Sequence, residues 1–354
     1  MSKQINYEII IIMKYKLTSF VVAEINKVER GKITQFQTLK SSPHYLTTSA
    51  PHQALISREK IKIENREGSL IVKAYAPDVI LAEITVEVDN IFSEEIFKLE
   101  DELTDQAYKV LTKKGASKEF SETYSVFVVS DYQGEPQQFF KYQNIIASLL
   151  KSERLELDPK EIAHTLDVQI QYAKNDMTII DWDGAFVFDP IGDIDSILEL
   201  LELANFHLLR YRILDRNLDE RLEKMEKFIW RPMPKHFFLS FFKNKEIVQD
   251  LREIIKIRAM SISQFHALDR DIKLIGDWYS ARLFDLTAKK LKTDEWRNSI
   301  KDKLESLESI YSVISENFSI SSREIAEWVQ IVGFFILQIG WLALIIIEFL
   351  YFTR

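Results

Sequence analysis

The residues best placed to do chemistry are carboxylates gathered in one stretch, Asp181, Asp183, Asp189, Asp193 and Asp195. Oxygen ligands at this density suit a hard divalent cation such as Mg²⁺, with Asp181, Asp183 and Asp189 as the candidate ligands. The spacing of a calcium-binding loop is absent. Asp189, Asp193 and Asp195 also flank the start of a long helical pattern at Ile194, where negative charge is favourable without any metal. Caps and solvated turns are therefore the competing account of the cluster.

The tetrapeptide Asp181-Trp182-Asp183-Gly184 follows the apolar run Thr178-Ile179-Ile180. It resembles the first motif of haloacid-dehalogenase-type phosphatases. That resemblance implies Asp181 as nucleophile and Asp183 as general acid around Mg²⁺. Ala185 stands where that family usually carries Thr or Val, and another apolar run follows, so a turn between strands is the favoured reading.

Other chemistries find no support. The six histidines show no His-x-x-x-His spacing, and no phosphate-binding glycine loop or Gly-x-Ser-x-Gly elbow occurs. His207 flanks an apolar helical seam, where packing or surface is its default role. The chain has no cysteine, which excludes disulfides, thiol catalysis and Cys-ligated zinc. A net charge of -8 argues against a nucleic-acid partner. No cofactor is expected beyond the Mg²⁺ alternative.

Residues 1–190 read as an α/β head. Tyr7 to Tyr15 suits a strand, Ser19 to Val28 a short helix, and Gly31 to Gln53 an irregular stretch. Ala54 to Ile63 and Leu70 to Tyr75 suit a hairpin, and Val79 to Val88 a strand. Phe92 to Leu111 is helical, with Gly115 past its end. Thr123 to Val129 is a further strand. Asp158, Pro159 and Glu161 open a short helix. Val168 to Tyr172 and Met177 to Ile180 form a second hairpin, and Ala185 to Phe188 a last strand. Turns this short favour a mixed or antiparallel sheet over a doubly wound one.

Beyond residue 190 the apolar period lengthens. Ile197, Leu201, Ala204, Leu208, Tyr211, Asp215, Leu218, Leu222, Met225 and Ile229 keep 4-3 spacing, predicting a long coiled-coil-like helix. Asp215 is the charged member of that seam and needs a partner such as Arg212, Arg216 or a cation on a facing helix. A second helix is expected from Glu246 towards Leu291 and a third from Asp294 to Phe318. Ser319 to Ser322 reads as a joint, with Ser322 capping the next helix. Residues 191–320 thus form a helical bundle or stalk.

Residues 327–352 then form a transmembrane helix. Val329 to Ile347 carries no charge, and Trp328, Tyr351 and Phe352 stand where aromatic belts are expected. Gly333 and Gly340 permit close helix approach, suggesting self-association. The N-terminal run Ile9 to Met13, interrupted by Lys14 and Lys16, does not read as a signal peptide. The fold class is accordingly α+β: a mixed or antiparallel α/β head, a long-helix bundle and one C-terminal membrane helix, with the bulk of the chain in the cytoplasm.

The C-terminal residues Arg297-Asn298, Glu327-Trp328 and Glu348 resemble the RMD1/RMND1 family (sporulation protein RMD1, DUF155). There, a helical segment around an arginine and asparagine leads through a Leu-Glu-Trp-like sequence into a single membrane helix with a late glutamate. Ala326 replaces the leucine here. The resemblance implies a membrane-anchored organising protein and supplies no catalytic residues. The expected function is non-catalytic organising or sensing, with self-association or protein partners and a lipid bilayer. The alternatives are an Mg²⁺-dependent phosphatase-like enzyme using Asp181 and Asp183, and a channel or transporter accessory. The layout is similar to CorA-type magnesium channels, but their Gly-Met-Asn tripeptide and second span are missing from the sequence pattern.

Overall fold

The computed structural model describes residues 13–25, 32–34, 53–76, 78–229, 255–256, 258–266 and 278–352. A nine-stranded mixed sheet forms in the order β2-β3-β4-β5-β1-β6-β9-β8-β7. Its strands are β1 (Lys14–Ile25), β2 (Lys32–Thr34), β3 (Gln53–Ile63), β4 (Arg66–Tyr75), β5 (Val79–Val88), β6 (Ala116–Ser130), β7 (Gln169–Ile170), β8 (Met177–Ile180) and β9 (Gly184–Phe188). The β6–β9 pair is parallel, and the other neighbours are antiparallel.

β1 lies inside the sheet between β5 and β6 and corrects the expectation of a helix over Ser19 to Val28. Leu17, Val21, Ala23 and Ile25 enter the core on one face, Phe20 and Val22 the core on the other. A strand buried on both faces loses the period-two alternation that would announce it, and pairing on both sides overrides local helical pattern. The strand expected over Tyr7 to Tyr15 falls mostly outside the described residues. Most of the irregular stretch from Gly31 does as well, though its described part, Lys32–Thr34, is strand β2.

The two hairpins form as expected. β3 and β4 join through Glu64 and Asn65, with Glu64 in the left-handed region at φ 52°. Helix α1 (Glu95–Lys113) connects β5 to β6 across β1, and its chain reverses at Gly115 with φ 87°. After β6 come a short 3₁₀ turn over Pro136–Tyr142 and helices α2 (Gln143–Leu150) and α3 (Pro159–Leu166). Asp158 Oδ1 accepts the Lys160 amide at 2.9 Å, the anticipated cap.

Helix α4 (Asp195–Ile229) follows β9. Residues 255–256 and 258–266 are helical, the latter labelled α5, and of the helix expected from Glu246 towards Leu291, residues 246–254, 257 and 267–277 lie outside the described residues. Helix α6 is Trp278–Lys290, and α7 is Thr293–Phe352. One core packs α1, α2 and α3 on one sheet face, and a second packs α4 and α6 on the other. The sheet is therefore the middle of three layers.

Two compact units divide the chain. The first comprises Met1–Arg216 with Ser263–Ile300 and holds the sheet, while the second comprises Asn217–Ile262 with Lys301–Arg354. Within the second, Lys303 pairs with Asp219 at 2.6 Å, and the Arg258 guanidinium lies 4.8 Å from the Tyr311 ring centre. Helix α7 runs unbroken through Ser319–Ser322, which corrects the expected joint and the cap at Ser322. Serine lowers helix stability by only a few tenths of a kcal/mol per residue, too little to interrupt a long helix without Pro or Gly.

Candidate functional site

The Asp181–Gly184 stretch is the turn between β8 and β9, closed by a 2.8 Å bond from the Asp181 amide to the Gly184 carbonyl. Gly184 is required by close approach to β6, since a Cβ there would fall 2.8 Å from the Ser125 carbonyl oxygen and 3.2 Å from the Phe127 ring. The Ser125 amide in turn donates to the Asp183 carbonyl at 3.1 Å. The motif is thus pinned at the end of the only parallel pair among the described strands.

Asp181 is 2% exposed. Its Oδ1 accepts the Trp182 amide at 2.7 Å and lies 3.0 Å from Lys290 Nζ, while its Oδ2 lies 3.1 Å from Lys151 Nζ. Lys151 follows α2 and also meets Glu161 of α3 at 2.8 Å. Lys290 ends α6 on the opposite face of the sheet. One carboxylate therefore ties both helical layers to the sheet. Burial pushes its carboxyl up, but Lys290, the Trp182 amide and Lys151 outweigh burial and hold it below the usual range. The Tyr124 hydroxyl completes the turn by donating to the Asp181 carbonyl at 3.1 Å.

Asp183 is held differently. Burial, reinforced by the Asp181 charge, raises its carboxyl, with Lys151 opposing. Nearby Glu100 of α1 accepts the Ser152 hydroxyl at 3.0 Å. Burial pushes it up to about 7, against the Ser125 and Ser152 hydroxyls and with help from the Asp101 and Asp183 charges. Asp181 is thus a fixed anion, whereas Glu100 exchanges a proton near neutral pH. Asp189 makes a turn of its own, accepting the Ile191 amide at 2.7 Å and the Gly192 amide at 3.0 Å. Among the described residues no group of three His, Cys, Asp or Glu could hold a metal ion.

A second buried polar cluster was not singled out from sequence. Lys73 of β4 lies 2.7 Å from Glu202 Oε2 of α4 and 3.0 Å from Glu83 Oε2 of β5. The Tyr75 hydroxyl donates to Glu202 at 3.2 Å. Burial pushes Glu202 up to about 8 despite the Lys73 charge, while the two carboxylates overcome burial to keep Lys73 protonated well above its ordinary range. The available signal was a charge within or beside apolar runs: Lys73 within Leu70–Tyr75, Glu83 within Val79–Val88, and Glu202 beside Leu201 of the α4 seam. One turn further along, His207 is fully buried with neither ring nitrogen hydrogen-bonded, and burial, aided by Arg210, pushes it down to about 3.

The remaining sequence candidates are spread along the helices. Asp215 accepts the Ser299 hydroxyl at 3.0 Å, Arg212 bonds Glu122, and Arg216 bonds Glu119 at 2.7 Å. Arg297 is half-buried early in α7, and Glu327 and Glu348 are exposed further along it. Trp328 is helical. A Cβ added at Gly333 or Gly340 would meet nothing within 4 Å.

The profile of the family described as "Uncharacterized protein MJ0711, N-terminal domain" matches residues 16–195, from β1 to the first residue of α4. This chain belongs to that family. The MJ0711 match includes Lys73, Glu83, Glu100, Lys151, Asp181, Asp183 and Asp189. It stops before Glu202, Lys290 and the C-terminal residues on which the RMD1/RMND1 resemblance rests. The archaeal protein MJ0711 of Methanocaldococcus jannaschii is 29% identical over 262 residues, covering 74% of this chain and 77% of that protein. No solved structure matches.

Proposed function

We propose that this protein is a single-pass, C-terminally anchored membrane protein whose α/β head acts on the cytoplasmic side as a non-catalytic organiser or sensor. The observation that carries the reading is Val329–Phe352: 24 residues of mean hydropathy 2.3, none of it buried by the rest of the chain. Such a helix is about 36 Å long, enough to cross the hydrocarbon core with some tilt. Leu337, Trp341 and Ile347 are 67%, 69% and 63% exposed, an apolar surface that water does not tolerate in a continuous patch. The organising role is supported by the resemblance of Arg297, Glu327, Trp328 and Glu348 to the RMD1/RMND1 pattern. It is also supported by a head in which the buried Asp181 is engaged in holding layers together.

Membrane fractionation tests the anchor. The full chain is expected to stay in the pellet after alkaline carbonate and to float with added vesicles. The Leu337→Arg/Leu344→Arg variant is expected to leave both fractions, because each central arginine costs about 2.5–3.5 kcal/mol of insertion. Release of the unaltered chain by carbonate would remove the anchor reading.

A further inference from the structure

The apolar helix carries one polar side chain at its middle. Gln338 stands nine residues after Val329 and nine before Ile347, the limits of the uncharged stretch. Its amide offers two N–H donors and an accepting oxygen, which hydrocarbon leaves unpaired. Among the described residues the chain has one span, so no second span of the same molecule is there to pair with it.

At about 100° per residue, Gln338 shares a face with Ile331, Phe334, Trp341 and Ile345, in the 3-4 spacing of a helix-pair seam. These four neighbours are 46%, 59%, 69% and 54% exposed. Gly333 and Gly340 point about 150° away from Gln338 and belong to the opposite side of the helix.

We infer that a second copy of this chain covers the Gln338 face, the two helices running parallel and their Gln338 amides hydrogen-bonded to each other. The inference rests on the membrane reading above. The amide is self-complementary: each copy donates an N–H to the other's carbonyl oxygen, as a two-fold contact requires. Both copies enter the bilayer from the same side, so equivalent residues meet, and Phe334 and Trp341 flank the amides and exclude lipid. The glycine face remains towards the acyl chains.

The cysteine-free sequence makes the test direct. Single substitutions Ile331→Cys, Ile345→Cys, Gly333→Cys and Gly340→Cys are placed in the full chain, reconstituted in phosphatidylcholine vesicles and oxidised. Disulfide-linked dimers are expected at positions 331 and 345 and only at background level at 333 and 340. Adding Gln338→Leu should weaken association about tenfold, and Gln338→Asn should retain most of it. Crosslinking that favours the glycine positions, dimers unaffected by Gln338→Leu, or a chain that floats with vesicles yet yields no dimer would each overturn the inference alone. A chain that fails to float overturns the membrane reading and this inference with it.

Discussion

Asp181 neutralises two ammonium groups from opposite helical layers, so removing its charge leaves both without their shared counter-ion. Asp181→Asn is expected to destabilise the protein by roughly 2–3 kcal/mol, less than a fully buried pair because both lysines keep some solvent. Urea unfolding checks this. Two further residues set opposite pH trends. Glu202 is pushed up to about 8, so the stability it contributes is fully present below its unfolded value near 4.5 and is lost as pH rises through about 8. His207 is pushed down to about 3, so its contribution is present above its unfolded value near 6.5 and is lost as pH falls towards 3. Glu202→Gln is therefore expected to flatten the decline in melting temperature between about pH 4.5 and 8, and His207→Phe the decline below pH 6.5. Thermal melts across pH read both.

Among the elements, the parallel β6–β9 pair depends on a residue without a side chain. Gly184→Ala would drive a Cβ against the Ser125 carbonyl and force the strands apart, costing about 1–3 kcal/mol. Because Ser125 and Asp183 share a backbone bond, the same substitution is expected to speed amide exchange at Ser125 while leaving the β3–β4 hairpin protected. Hydrogen exchange distinguishes this local loosening from global unfolding. The β3–β4 and β8–β9 turns were legible because Gly, Asn and Asp separate clearly apolar runs. β1 was not, because its residues are apolar towards both cores and alternation vanishes. The serines at 319–322 suggested a break that helix α7 does not make.

For the whole molecule, the sheet gains its second layer from residues distant in sequence. α4 and α6 close one face after α1, α2 and α3 have closed the other. Membership of the MJ0711 family extends over the sheet and its first helical layer, and the 29% identical relative extends beyond that region. Layer architecture and the apolar C-terminal helix thus come as separate features of one chain. Fractionation and cysteine crosslinking address the second without disturbing the first.

The sequence alone determined the length and period of most elements, the mixed sheet that short turns impose, and the long apolar helix. These depend on neighbours a few residues apart, where periodicity and turn chemistry act directly. The tertiary structure decided the roles of the charges. Asp181 draws partners 30 residues before it and 109 after it, and Lys73 meets Glu202 across 129 residues. No local pattern encodes such pairings, because they arise only when three layers bury those groups together and desolvation makes each need a counter-charge.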